Sequence, residues 1–143
     1  MKNLLSKRIL NKYSRQIILK DIGIIGQKKI FNSKILVVGA GGLGSPVIDL
    51  LVRAGVGFLG VIEDDKVDYS NLHRQTLYDY NDVGKYKSDV IKKKIKLIND
   101  KIRLKIFQER ANDKNLGKIL PKFDIIVDGS DNFPTKFLLN KYS

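Results

Sequence analysis

The run Ile35-Leu36-Val37-Val38 leads straight into Gly39-Ala40-Gly41-Gly42-Leu43-Gly44, and a helical pattern follows from Ser45 to Ala54. An apolar strand, a glycine turn and a helix in immediate succession leave few folds open. Glycine permits the tight turn and a close approach of backbone to a ligand. The helix that follows aims free N–H groups and the positive end of its dipole at the same place. The segment therefore implies an α/β unit with a nucleotide phosphate over the turn.

The alternation continues along the chain. The sequence predicts a short helix over 4–10, then a helix over 23–31 with Ile24, Ile25 and Ile30 as its apolar positions. A strand follows over 34–38, and the next helix runs to Ala54, where Gly55 stops it. A strand over 58–62 leads into a loop over 63–70 and a helical turn over 71–77. Ile91, Ile95 and Ile98 then recur at helical spacing in a helix over 85–98. A strand over 102–107, a short helix over 112–120 stopped by Pro121, a strand over 124–127 and a helix over 131–141 complete the pattern. Such alternation implies a Rossmann-like, mostly parallel sheet over 34–143 with helices on both faces. An N-terminal helical segment, 1–33, precedes it. Ligands of such sheets lie at the carboxyl ends of the strands, so Gly39–Gly44, Glu63–Asp65 and Asp128–Asn132 are expected to converge.

Composition bounds what the site serves. The 143 residues have the size of one domain. With no cysteine, disulfides, thiolate zinc sites and a cysteine nucleophile are excluded within this chain. No apolar run approaches the roughly 18 residues of a membrane span, and Met1 to Arg8 lack the long apolar core of a signal peptide. A cytoplasmic protein without a membrane partner is expected. The net charge of +12 comes from 27 Lys and Arg against 15 Asp and Glu. The lysines are scattered, with one local cluster at Lys92-Lys93-Lys94 and few aromatics among them. Nucleic acid is therefore not the expected partner. Abundant Lys, Ile and Asn fit the drift of an AT-rich genome, and the positive field suits a polyphosphate or an acidic partner.

Two chemistries compete for the glycine turn. Gly39, Gly41 and Gly44 fit G-x-G-x-x-G, and Glu63 ends the second strand, as in a dinucleotide site with an acid on the ribose. That alternative, an NAD-binding oxidoreductase domain, leaves three segments without a purpose: Ser70-Asn71-Leu72-His73-Arg74-Gln75, Val83-Gly84-Lys85-Tyr86-Lys87 and Asp128-Gly129-Ser130-Asp131-Asn132. Hydride transfer needs no ring of cations. A triphosphate under attack by a carboxylate needs its charge neutralised and its metal held.

With these segments, together with Tyr13-Ser14-Arg15-Gln16 and Ala54-Gly55-Val56-Gly57, the chain resembles the ubiquitin-activating-enzyme (E1-like) superfamily. The branch is the bacterial adenylyltransferases of molybdopterin and thiamin biosynthesis, the MoeB, ThiF and HesA group. The resemblance runs from Lys12 to about Asn140. It implies a homodimer that uses ATP and Mg2+ to adenylate the C-terminal glycine carboxylate of a ubiquitin-like sulfur-carrier protein, releasing pyrophosphate. It also implies roles for single residues. Gly39, Gly41, Gly42 and Gly44 form the phosphate turn. Glu63 and Asp65 hold the ribose end. Asn71, Arg74, Gln75 and Lys87 surround the polyphosphate, Asp131 binds magnesium, and Arg15 reaches into the partner subunit's site.

Each residue also has a plainer role. Read alone, Arg15 is a surface charge, Asn71 a turn residue and Asp131 an N-cap of the last helix. His73 stands where the family usually has glutamine, and no chemistry is assigned to it. Glu63 stands where the family usually has aspartate. Family members continue beyond the last helix here, into the rest of the sheet, the carrier-binding surface and a paired Cys-x-x-Cys zinc site. The chain is accordingly expected to hold the nucleotide-binding half and to have little adenylylation activity alone; a non-catalytic relic is the other alternative.

Overall fold

The computed structural model describes residues 6–142. At its centre β1 (Lys34–Val38), β2 (Phe58–Ile62), β3 (Arg103–Phe107) and β4 (Ile125–Asp128) form a parallel sheet in the order β3-β2-β1-β4. In the shared register Leu36 sits between Gly60 and Ile126. The helices are α1 (Lys7–Lys12), α2 (Ser14–Ile17), α3 (Gly23–Asn32), α4 (Gly44–Ala54), α5 (Lys87–Ile98), α6 (Leu116–Ile119) and α7 (Phe133–Tyr142). This is the Rossmann-like α/β architecture that the alternation implies.

Successive strand residues point to opposite faces, and each face has its own core. Val37, Leu59 and Val61 pack with Ile48 and Val52 of α4 and Ile91 and Ile95 of α5. Leu36, Val38 and Ile62 pack with Leu116 and Ile119 of α6 and Leu139 of α7. Full burial of each such side chain contributes about 1.5–3 kcal/mol. The Ile91-Ile95 spacing is thus the core face of α5, as expected. Gly55 ends α4 in the left-handed region, at φ 90°.

The N-terminal segment departs from its apolar pattern. Ile24 and Ile25 of α3 are 48% and 75% exposed, and the residue α3 buries is Gln27. Its amide donates to the Ala54 carbonyl at 3.0 Å and accepts from Gln16 at 2.7 Å. A helix C-terminus offers unpaired carbonyls, so a glutamine rather than an isoleucine docks there. Tyr13 packs edge-on against Phe31, with ring centroids 5.0 Å apart. Both rings lie against Gly55, where any side chain would collide with them. Tyr13-Ser14-Arg15-Gln16 and Ala54-Gly55-Val56-Gly57 are therefore two halves of one joint.

Several boundaries move, those of the first helix, the turn after β2 and α5 for local reasons. The first helix is Lys7–Lys12 rather than 4–10, with Leu4 and Leu5 outside the described residues; the Ser6 hydroxyl accepts from the Ile9 N–H at its start. The turn expected over 71–77 is a 3-10 turn at Tyr69–Asn71, set by the Asp68 carboxylate accepting from the Ser70 N–H at 2.8 Å. α5 begins at Lys87, not Lys85, because Lys66 and Tyr86 pair as an isolated antiparallel bridge. The helix expected over 112–120 is only Leu116–Ile119 and stops ahead of Pro121 as expected; Pro121 itself lies in the first turn of a 3-10 helix, Leu120–Lys122, where its missing N–H costs nothing.

Candidate functional site

The ends of β1, β2 and β4 converge on one cleft of about 1190 Å³, joined by Glu109, Arg110 and Ala111 after β3. The expected segments line it: Gly39, Gly41 and Gly42; Glu63 and Asp65; Asn71, Arg74 and Gln75; Lys87; and Asp131. The β3 end was not anticipated, because no glycine or paired polar motif marks it.

The glycines fall into two kinds. Gly39 has φ 84° and lies against Gly129, whose carbonyl would stand 3.0 Å from a Cβ there. A Cβ on Gly44 would overlap the Gly39 carbonyl, and one on Gly129 would come within 2.7 Å of the same oxygen. Three backbones thus meet in a seam with no room for side chains. Gly41 and Gly42 differ. Neither has positive φ. A Cβ would make only ordinary contacts, 3.7 Å from the Gln75 amide and 3.5 Å from Arg74 respectively. Nothing among the described residues requires glycine at these two positions, and both face the cleft. The N-terminus of α4 beside them has no side-chain cap; the Ser45 N–H is bonded to Gly41 O at 2.9 Å and Pro46 has none, so the N–H groups ahead of Ser45 are the ones left for an anion.

Lys87 is delivered by the loop pairing. The Val67 N–H donates to Lys85 O at 2.8 Å, Gly84 N–H to Val67 O at 2.8 Å and Lys87 N–H to Asp65 O at 2.9 Å. Gly84 turns this segment with φ 83°, which explains the Val83-Gly84 signature before the lysine. The Lys87 ammonium is 4% exposed as a residue and stands 3.4 Å from Asp65 and 3.9 Å from Glu63. Glu63, Asp64 and Asp65 place carboxylate oxygens within 4.8 Å of one another, and Lys87 already offsets their charge. Tyr78 donates to the Ala40 carbonyl at 2.9 Å. Burial raises its phenol well above the usual tyrosine range, and Glu63, Asp65 and Asp82 add to the shift. No sequence signal distinguishes Tyr78 from any loop tyrosine.

Arg74 is exposed and tethered, its Nη1 donating to Ser70 O at 2.9 Å and lying 3.0 Å from His73 Nε2. Asn71 serves its own turn, accepting from the Asp68 N–H at 3.2 Å, so the plainer role holds at least in part. Gln75 is 4% exposed, and its Oε1 has no hydrogen-bond partner among the described residues.

At the end of β4, Asp128 accepts from the Ser130 hydroxyl at 2.6 Å and from Lys136 at 3.1 Å. Its partial burial opposes ionisation, but the Ser130 bonds and Lys136 outweigh that and hold the carboxyl below the usual range. Lys136 was missed by sequence reasoning; only its position one turn beyond Asn132 hints that it reaches back to the strand. The cap of α7 is Asn132, which accepts from the Thr135 N–H at 3.0 Å. Asp131, expected as a possible cap, makes only a 3.3 Å contact with Asn132 and is exposed to the cleft. Arg15 is not in the cleft. It stands exposed on α2 between inward-turned Tyr13 and Gln16, with no ion pair among the described residues.

A parallel sheet whose first β–α turn is a glycine seam, with cations and carboxylates around the cleft at its strand ends, defines a Rossmann-like α/β domain. The chain belongs to the ThiF family, whose pattern matches residues 13–143. It is 46% identical over 135 residues to the sulfur carrier protein adenylyltransferase of Thermus thermophilus, covering 94% of this chain and 50% of that protein. It is 42% identical over 137 residues to a probable molybdopterin-synthase adenylyltransferase of Gracilaria tenuistipitata, covering 96% of this chain and 39% of that one. The chain thus spans half or less of the length of these relatives. Among solved structures, E. coli tRNA N6-threonylcarbamoyladenosine dehydratase in complex with ATP matches with TM-score 0.89 at 25% identity, over 97% of this chain and 57% of that one. The family resemblance drawn from the motifs is borne out. No helix among the described residues is long and apolar enough to cross a membrane.

Proposed function

We propose that this chain carries the ATP site of an adenylyltransferase that activates the C-terminal carboxylate of a ubiquitin-like sulfur-carrier protein of molybdopterin or thiamin biosynthesis. The observation that carries this is the pair Gly41 and Gly42. They are free of any conformational or packing need for glycine, yet lie between an uncapped helix start and the cations Arg74 and Lys87. The triphosphate lies over β1 and the ribose over β2, facing Asp65, whose side chain is 57% exposed. The carrier carboxylate attacks the α-phosphorus. A new acyl–phosphate bond forms, the bond to the bridging oxygen breaks, and pyrophosphate leaves. Lys87, Arg74 and the α4 N–H groups relieve the repulsion between two anions. Asn71 and Gln75 complete the polar wall. Asp131 is an exposed hard-oxygen donor and fits magnesium, which would neutralise the phosphates when bound. Arg15 serves a second subunit of a homodimer, its exposed position beside exposed Ile18, Leu19 and Ile25 suiting an interface.

ATP–Mg is expected to bind and NAD not to displace it; tighter NAD binding by calorimetry would overturn the proposal. Pyrophosphate exchange dependent on a ubiquitin-like carrier tests the reaction itself. Asp131→Asn is expected to weaken only the magnesium-dependent part of ATP affinity, about tenfold, with no loss of thermal stability, because Asn132 holds the cap. An unchanged magnesium dependence would remove Asp131 from the site.

A further inference from the structure

Glu63 ends β2 with its side chain 5% exposed and both carboxylate oxygens taken by backbone. Oε2 accepts from the Ala40 N–H at 2.8 Å, and Oε1 accepts from the Asp65 N–H at 2.9 Å. Ala40, fully buried between Gly39 and Gly41, is gripped on its other side by the Tyr78 hydroxyl on its carbonyl at 2.9 Å. The Glu63 oxygen that holds Ala40 is also the one 3.9 Å from the Lys87 ammonium. A turn made of glycines has no side chains to hold it still, and N–H groups bind an anion well only when oriented in advance. A charge-assisted bond from a buried carboxylate supplies that orientation.

We propose that Glu63, seconded by Tyr78, is a positioning residue for the phosphate turn, clamping the Ala40 peptide and registering Lys87 against it, and is not the residue that binds the ribose. The inference rests on the nucleotide function proposed above and changes the role of one residue in it. The glutamate side chain is long enough to reach from the end of β2 to the peptide after β1. Asp65 remains as the exposed carboxylate for sugar hydroxyls. A clamp that never touches the ligand acts on everything bound at the turn, with or without a sugar.

Calorimetry of the whole chain with inorganic tripolyphosphate, ATP and 2′,3′-dideoxy-ATP separates the two roles. For Glu63→Gln the clamp requires affinity for all three to fall by one common factor, about tenfold. Tyr78→Phe, which removes one hydroxyl and keeps the ring, is expected to give the same uniform pattern at about threefold, and melting temperatures verify that both variants are folded. The inference is overturned if Glu63→Gln leaves tripolyphosphate binding intact and loses affinity for ATP alone, or if Tyr78→Phe binds all three as the parent does and Glu63→Gln is unfolded. A parent chain that binds neither ATP nor tripolyphosphate overturns the nucleotide function itself, and the clamp with it; ATP binding without the uniform pattern overturns only the clamp.

Discussion

Lys87→Met, made in a version of the chain extended to the length of its relatives, is expected to lower carrier-dependent pyrophosphate exchange by about 10²–10³-fold, the largest kinetic effect of any single substitution in the cleft. Lys87 is the buried cation of the site, and burial magnifies its effect. Its ammonium is held at 3.4 Å from Asp65 and 3.9 Å from Glu63, so it is already aimed when a triphosphate arrives. Arg74, exposed and tethered to Ser70, is screened by water and must reorient. Arg74→Ala should therefore cost less than Lys87→Met. Loss of Lys87 also leaves Glu63 buried without a counter-charge. A fall in stability of about 1–3 kcal/mol accompanies it, softened because Asp65 is half open to water and Glu63 keeps its two backbone bonds. Exchange rates measured well below the melting temperature separate the two effects. An exchange rate for Lys87→Met within a few-fold of the parent would show that the phosphates do not lie against this lysine.

What could be read from sequence follows from how local each cause is. β1 and β2 begin and end, and α4 ends, where the residues say, since an apolar run, a glycine turn and the left-handed Gly55 act on their immediate neighbours. The convergence of Gly41, Glu63 and Asp131 was likewise legible, because parallel topology sends every strand end to one side; Lys87, which begins α5 and ends no strand, was marked only by the resemblance. Long-range polar bonds were not legible. The amide of Gln27 seeks the Ala54 carbonyl 27 residues away, which leaves Ile24 and Ile25 exposed while Ile30 packs against the core as expected. Tyr78 reaches Ala40 across 38 residues and Ser88 reaches Gln108 across 20, with no periodicity to announce either. Glu63 was visible at the end of the second strand, but its role depends on where the Ala40 N–H points, which only the folded backbone defines.

The glycine turn offers a test in which neighbouring substitutions move in opposite directions. Gly44→Ala is expected to destabilise the fold by about 3 kcal/mol, a fall of roughly 10 °C in melting temperature. Its methyl would overlap the Gly39 carbonyl, and that peptide cannot retreat. Its own N–H, that of Ala40, is bonded to Glu63 Oε2 at 2.8 Å, the neighbouring Gly39 N–H to Ile62 O at 2.9 Å, and the Gly129 N–H behind it to Val38 O at 2.8 Å. Relief would require parting α4 from the sheet. Gly41→Ala, three residues earlier, meets nothing closer than the Gln75 amide at 3.7 Å and has no positive φ to strain. Its smaller unfolded-state entropy should leave stability unchanged or raised by about 0.4–1 kcal/mol. ATP affinity should nevertheless fall by about a hundredfold, since the methyl takes space that a phosphate must share and overpacking costs about 1–3 kcal/mol. Thermal melts and calorimetry on the two variants decide the matter together. A Gly41→Ala chain that binds ATP as the parent does would place the phosphates elsewhere in the cleft. A stable Gly44→Ala chain would mean that the seam of Gly39, Gly44 and Gly129 can open, and that the close approach of α4 to the sheet is not what demands glycine there.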